Sequence, residues 1–427
     1  MTPVVSAGLA PTRTVLDNGA VFIGKRTRAT PAVSINLAMR AGSICDPADS
    51  PGAMWLLSRV IDRGTTTRTA ANIAEELDNR GITLSIALTR HLFSLVCTCL
   101  AEDFEAVFEL LGEMLVAPSL PEEEIATRKG QVITAIRQDD DNPGVRAGEA
   151  LMALLYPDGH PYGRRTKGTI EIVEGRTRRH LESLYTARFA PSELTAVVVG
   201  DVEVERARDG AARAFGGWRV QPPAPIAVPP PPSQRARRRL VIQMMNKAQA
   251  DICYGFVAIR RNDPSYYACW VLNNVFGQYA LGGRLGDSIR ERQGLAYYVS
   301  SALDANIVEG PLVIRAGVNA QHVDRAVASI DEEVARMGRD GVTPKELEDS
   351  RRFMIGALPR ALETNAAIAH FLQQGEFFGL GLDYDVRLPD LLRGVTLDDA
   401  NAVARRILDP ERATVVIAGP YTDSRVG

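Results

Sequence analysis

Zinc chemistry needs imidazole, thiolate or carboxylate groups brought to one point. The chain has only five histidines, His91, His160, His180, His322 and His370, and no two lie at metal-binding spacing. Its five cysteines are Cys45, Cys97, Cys99, Cys253 and Cys269. Cys97 and Cys99 are two apart on an alternating segment, so both face the same way. Without a second pair nearby they read as small apolar core filler. An odd, sparse count in a long chain argues against a disulfide scaffold and suits a reducing compartment. His160 stands in a His-Pro-Tyr-Gly turn, where a structural hydrogen-bonding role fits.

Arg290 and Tyr297 are a different kind of candidate. Gly282-Gly283-Arg284-Leu285 leads into a short helix through Arg290 and Arg292, stopped by Gly294. Leu295, Tyr297 and Val299 then alternate with Ala296, Tyr298 and Ser300, as a half-buried strand should. On spacing alone, Arg290 can pair with Asp287 and Tyr297 can be sheet packing.

The elements that must position these residues belong to a folded, multidomain chain. Its 427 residues are 45% hydrophobic and 24% charged, with a net charge of -3. That composition excludes whole-chain disorder, and it shows no clustered excess of Lys and Arg for nucleic acid. No apolar run reaches the ~18 residues of a membrane helix. Met1 to Ala10 carries no basic residue and no long apolar core, so it does not read as a secretory signal. A cytoplasmic protein is favoured, or a periplasmic one if a leader has been removed.

Prolines cluster from Gln221 to Ser233, which forbids helix and central strand and favours an extended linker. The expected division is therefore residues 1–221, a linker over 222–238, and residues 239–427. Arg235, Arg237, Arg238 and Arg239 lie at its end, where a basic run is usually a solvated face. The two parts look alike. Glu193 to Gly200 closes the first, and Arg412 to Gly419 closes the second. Pro121-Glu-Glu-Glu-Ile125 and Pro344-Lys-Glu-Leu-Glu348 each open a long helical pattern at nearly the same offset. This is a duplicated domain.

Within the first half, Asp17-Asn18-Gly19 between two apolar runs signals a hairpin. Ala32 to Arg40 alternates strictly, with Val33, Ile35, Leu37 and Met39 on one face. Thr69 is placed to cap a helix, and Ile82 to Leu100 reads as two more strands with His91 near their junction. Helices are predicted near Glu102–Leu115, Glu122–Arg137, Gly144–Leu155 and Arg178–Phe189. Strands in hairpins with helices between them mean α+β: two homologous domains, each a largely antiparallel sheet with helices on one side.

An ordered set of short motifs now stands out. Asn18-Gly19, Ala41-Gly42-Ser43 with Asp46-Pro47, and Gly52 opening a helix that ends Arg63-Gly64-Thr65 come first. Leu77-Asp-Asn-Arg-Gly81, His160-Pro161-Tyr162-Gly163, Val199-Gly200-Asp201 and Arg290-Glu-Arg-Gln-Gly294-Leu295-Ala296-Tyr297 follow. The set resembles the pitrilysin/insulinase-type zinc metallopeptidases, the inverzincins, over essentially the whole chain. The resemblance implies two domains arranged as a clam shell.

In that family the helix after the first Gly carries H-x-x-E-H, two zinc-binding His one turn apart and a Glu base between them. Here Trp55 and Arg59 stand where the two His belong, and Ser58 stands where the base belongs. Ala135 takes the place of the distal Glu ligand. Trp has no lone pair for a metal, Arg is a permanent cation, Ser is too weak a base and Ala ligates nothing. The chain should hold no zinc and should not be catalytic alone.

The resemblance gives Arg290 and Tyr297 a use. In the family, an Arg and Tyr at this spacing face the zinc site across a closed chamber. The Tyr hydroxyl can donate to the carbonyl oxygen that becomes an oxyanion, and the Arg can hold the substrate backbone. The expected role is the non-catalytic subunit of a heterodimeric peptidase, donating this pair to a homologous partner that binds zinc and peptides. The alternative is a structural or peptide-binding protein of the same fold with no proteolysis. The short Gly277–Gly283 region, where mitochondrial processing subunits carry a long glycine-rich loop, points to a compact bacterial-type heterodimer.

Overall fold

A computed structural model describes residues 8–279 and 283–422. Eleven strands form its two sheets: β1 (Thr12–Val15), β2 (Val21–Arg26), β3 (Ala32–Met39), β4 (Ser85–Leu88), β5 (Phe93–Leu100), β6 (Leu194–Gly200), β7 (Arg238–Gln243), β8 (Ala250–Val257), β9 (Ala296–Leu303), β10 (Pro311–Val318) and β11 (Thr414–Gly419). The first sheet has the order β1-β2-β6-β3-β5-β4, and the second β7-β11-β8-β10-β9. Without the β1 hairpin arm the two orders are the same. In each, one parallel pair (β2 with β6, β7 with β11) sits in an otherwise antiparallel sheet. The duplication is thus visible in topology and in strand direction.

Local signals account for most of the elements. Gly19 takes a left-handed φ of 89° in the turn between β1 and β2, which Asn18-Gly19 tolerates and most residues do not. Thr69 caps the Ala70–Asp78 helix in a capping box with Asn72. The helices at Phe104–Val116, Glu122–Asp140, Pro143–Leu155 and Arg178–Arg188 lie where the periodicity placed them.

The helices do not keep to one side of the sheets. Val33, Ile35, Leu37 and Met39 enter the main core of the first sheet, as their alternation predicts. The opposite side of β3, with Ser34, Asn36 and Ala38, is buried as well. It is covered by the Asn365–Phe377 helix, which packs on β3 and β6. Ile368, Ala369 and Leu372 of that helix form a second small core with Ile23, Val197 and Val199. Asn365 anchors it, donating to the Ala32 carbonyl at 3.0 Å and accepting from the Thr27 hydroxyl at 2.8 Å. In the second sheet, the Pro143–Leu155 helix packs in the same way on β8 and β11.

The chain accordingly forms two compact units with one segment of each half exchanged. One unit comprises the described residues of Met1–Ile136, Arg165–Ala227 and Leu358–Val386. The other comprises those of Arg137–Arg164, Val228–Ala357 and Arg387–Gly427. The border at Ala227 and Val228 falls inside the proline-rich linker, but the exchange of Arg137–Arg164 and Leu358–Val386 crosses the simple division expected at 222–238. A segment is assigned by what it covers, and that depends on residues far away in sequence.

The basic run after the linker is only partly a solvated face: Arg235 and Arg238 are exposed, but three of its four arginines have partners. Arg237 makes a two-pronged ion pair with Asp331 at 2.8 and 2.9 Å, and Tyr254 donates to the same carboxylate at 2.9 Å. Arg238 donates to the Leu154 carbonyl at 2.7 Å, closing the end of the Pro143–Leu155 helix. Arg239 reaches the Tyr421 hydroxyl at 3.0 Å. Arginine's rigid fork suits such multi-element contacts. Among the described residues, no helix is long and apolar enough to cross a membrane.

Candidate functional site

The segment that resembles the zinc helix is short. Asp46, buried, accepts from the backbone N–H of Gly52 at 2.8 Å and of Met54 at 2.7 Å. Its carboxylate thereby satisfies donors that the first turn leaves open. Gly52 has φ 94°, and a Cβ there would lie 2.4 Å from the Lys167 carbonyl oxygen. A Cβ on Gly168 would lie 2.1 Å from the Pro51 carbonyl oxygen, so the two glycines let the strands of backbone touch. The helix spans only Ala53–Ser58. Beyond it the backbone tightens, with Arg59 bonding back to Leu56 and Arg63 to Val60.

At the four positions where ligands and base would stand, the chemistry is different. The Arg59 guanidinium carbon lies 4.3 Å from the centre of the Trp55 ring. The Lys167 ammonium lies 5.5 Å from the same ring. The Ser58 hydroxyl is turned back to the Trp55 carbonyl at 2.7 Å, and Ala135 offers a methyl group. Asp62 is the carboxylate nearest in effect to Arg59, but Arg63 holds it at 2.9 Å. Burial lowers the Arg59 pKa and raises that of Asp62, despite the nearby Arg63, Arg128 and Arg59. Two cations on one indole ring cannot be a divalent-metal site. Among the described residues, no group of three or more His, Cys, Asp or Glu could hold a metal ion.

The histidines are engaged elsewhere. His160 accepts the Tyr162 N–H on Nδ1 at 3.1 Å, so its proton sits on Nε2, which donates to the Pro229 carbonyl at 2.9 Å. It fastens the middle of the linker, at Pro229, to the Pro161–Gly163 turn. His91 is buried, with its ring 5.9 Å from that of Phe377. Burial pushes the thiols of Cys45, Cys97, Cys99 and Cys269 up to about 12 and that of Cys253 to about 11.

Arg290 and Tyr297 lie on two irregular elements in succession. Arg290 belongs to a π-helical segment, Gly286–Arg292. Gly294, at φ 63°, ends it, and the Leu295 N–H closes on the Ile289 carbonyl at 3.0 Å. The strand β9 that follows breaks register. Tyr298 pairs with Gly317 and Ala296 with Val318, leaving Tyr297 as the extra residue of a β-bulge. Such bulges and π turns re-aim side chains. Tyr297 is 61% exposed, and the Arg290 side chain 45%.

Neither residue is consumed by the local partner that spacing suggested. Asp287 pairs with Arg292 at 3.0 Å, while among the described residues Arg290 has only Glu291, at 3.7 Å. Tyr298, next in the chain, is the structural tyrosine: its hydroxyl donates to Asp251, and its ring lies against Gly317. Simple alternation would have put Tyr297 on the core side, and the extra residue is what overturns it. Nothing in the spacing signals Lys167. Gly282, in the run leading to Arg290, and residues 280–282 of the short loop lie outside the described residues.

Comparison with known proteins fits these features to one group. Residues 21–169 match the insulinase family profile (peptidase family M16), and residues 176–354 match the peptidase M16 inactive domain. The chain belongs to the insulinase family. An uncharacterized zinc protease of Mycobacterium leprae is 26% identical, over 98% of this chain and 94% of that one. A non-peptidase homolog of Helicobacter pylori is 22% identical, over 86% of this chain and 84% of its own. In fold, the chain is similar to a crystal structure of a peptidase M16 inactive domain from Pseudomonas fluorescens. The TM-score is 0.89 at 24% identity, covering 97% of this chain and 98% of that one. Within the insulinase family, this chain keeps the two-domain fold but carries Trp55, Ser58, Arg59 and Ala135 in place of a catalytic zinc site.

Proposed function

We propose that this chain is the non-catalytic subunit of a heterodimeric zinc metallopeptidase. A homologous partner with an intact H-x-x-E-H and distal Glu supplies the metal chemistry. This chain supplies Arg290 and Tyr297. The Tyr297 hydroxyl donates to the scissile carbonyl oxygen as that oxygen gains negative charge, and the Arg290 fork holds the peptide backbone. Peptides bind extended, as an added strand on a sheet edge, so size and flexibility select them more than sequence does.

One contrast supports this reading. The metal positions have been refilled with residues that bind each other, while Arg290 and Tyr297 remain exposed on irregular elements. A pure scaffold has no need of an exposed bulge tyrosine beside one whose hydroxyl is tied to the buried Asp251. The second reading, a structural or peptide-binding protein without proteolysis, draws on the Helicobacter relative named a non-peptidase homolog.

The test is reconstitution with a homologous zinc-binding chain from the same organism, sought first in the neighbouring gene. Peptide cleavage by the mixture, and by neither chain alone, is expected. Tyr297→Phe in that complex should lower kcat by ~10²-fold, the cost of losing one oxyanion donor elsewhere. Arg290→Ala should raise KM more than it lowers kcat. If no such partner co-purifies, or if Tyr297→Phe keeps full turnover, the non-proteolytic reading takes its place.

A further inference from the structure

We propose that Arg59, stacked on Trp55 where the family binds zinc, is a receptor for a peptide carboxylate. Trp55 and Arg59 are one helical turn apart and so share a face. The guanidinium carbon lies 4.3 Å from the ring centre, and a guanidinium that lies over a ring face keeps its N–H edge available to an anion. Among the described residues, no carboxylate lies within ion-pair distance of Arg59 and no acceptor takes a hydrogen bond from it. The other cations of this segment are engaged: Arg63 by Asp62 at 2.9 Å, Arg128 by Glu124 at 3.3 Å and Gln131 at 2.7 Å, and Arg176 by Ser50 at 2.6 Å.

Asp62 acts on Arg59 through its charge but is paired with Arg63, and a half-buried cation whose counter-ion is shared gains from an anion that binds it directly. Burial does lower the pKa of Arg59, which accords with a partly desolvated charge. Lys167 adds a second positive charge at 5.5 Å on the same ring. The Trp55 ring fixes the fork in place, so less freedom is lost when an anion binds. A planar fork matches a carboxylate through two parallel hydrogen bonds. The ligand class, a peptide, rests on the peptide-binding reading of this fold. The site itself needs no partner subunit.

The carboxylate has two sources, a chain's C-terminus or an acidic side chain. Three fluorescein-labelled versions of one short uncharged peptide separate them: free acid, C-terminal amide, and amide with a single Glu. Binding to the isolated full chain is followed by polarisation, so failure of the heterodimer reading leaves the result interpretable. The free acid, the Glu peptide or both should bind about tenfold more tightly than the plain amide. Arg59→Gln should abolish that difference while leaving binding of the plain amide unchanged, with the variant still folded by circular dichroism. Arg59→Lys, which keeps charge but loses the fork, should recover only part of it. Equal affinity for all three peptides, no binding of any, or an unchanged preference in Arg59→Gln would overturn the proposal.

Discussion

The Arg59 guanidinium carbon stands 4.3 Å from the centre of the Trp55 ring, one helical turn from it in the chain. Relatives that bind zinc need a histidine at each of these positions, and the two replacements have become partners of one another. Cation–π contacts of this kind contribute ~0.5–2 kcal/mol. The vacated site is therefore a packed feature of the fold with a charge of the wrong sign for a metal.

From this follows the first expectation. Purified alone, the chain carries no stoichiometric zinc and cleaves no peptide, as metal analysis by mass spectrometry and a peptide assay will show. Arg59→His alone should gain no metal. Only Trp55→His, Ser58→Glu, Arg59→His and Ala135→Glu together supply the ligand set and base, and even these lack the outer hydrogen bonds that orient ligands. One tightly held zinc in the unaltered chain would contradict the reading.

The neighbouring tyrosines should separate cleanly in stability. Tyr298→Phe removes the hydroxyl that donates to Asp251, a carboxylate only 5% exposed. It should cost ~1–3 kcal/mol by leaving a buried acceptor short of a partner. Tyr297→Phe touches an exposed hydroxyl and should shift stability by no more than ~0.5 kcal/mol. Chemical denaturation of both variants tests this, and equal losses would erase the distinction drawn from the bulge.

Acid should weaken the fold through His160. Burial holds its pKa below the ordinary value of 6.5, and a proton on Nδ1 would face the Tyr162 N–H. The unfolded chain then binds the proton more readily, so stability is full above about 6.5 and falls as pH drops toward the lower folded value. His370, lowered by burial as well, acts in the same sense. Melting temperatures from pH 7.5 to 5 should show the decline, and His160→Gln should flatten part of it.

The cysteines should be silent in the native state. All five are buried free thiols, and with values near 11 or 12 almost none is thiolate at neutral pH. A thiol-reactive dye at pH 8 should label none until denaturant is added, and then all five. Rapid labelling of a folded sample would show that one of them opens.

What the sequence determined by itself about this protein rests on residue identity and short-range pattern. Ligation is a property of side-chain atoms, so Trp55, Ser58, Arg59 and Ala135 cannot form the family's zinc site wherever they lie. Hairpin turns, helix caps and the alternation of β3 are likewise local, and they carry the duplicated α+β fold. The tertiary structure alone decided which surfaces are covered. Ser34 and Asn36 read as a solvent face until the Asn365–Phe377 helix, more than three hundred residues on, lies across them. Arg237 reads as a solvated charge until Asp331 meets it. Tyr297 reads as core until β9 slips by one residue against β10. Each of these depends on pairing between distant segments, and strand period or charge pattern within one segment carries no record of its partner.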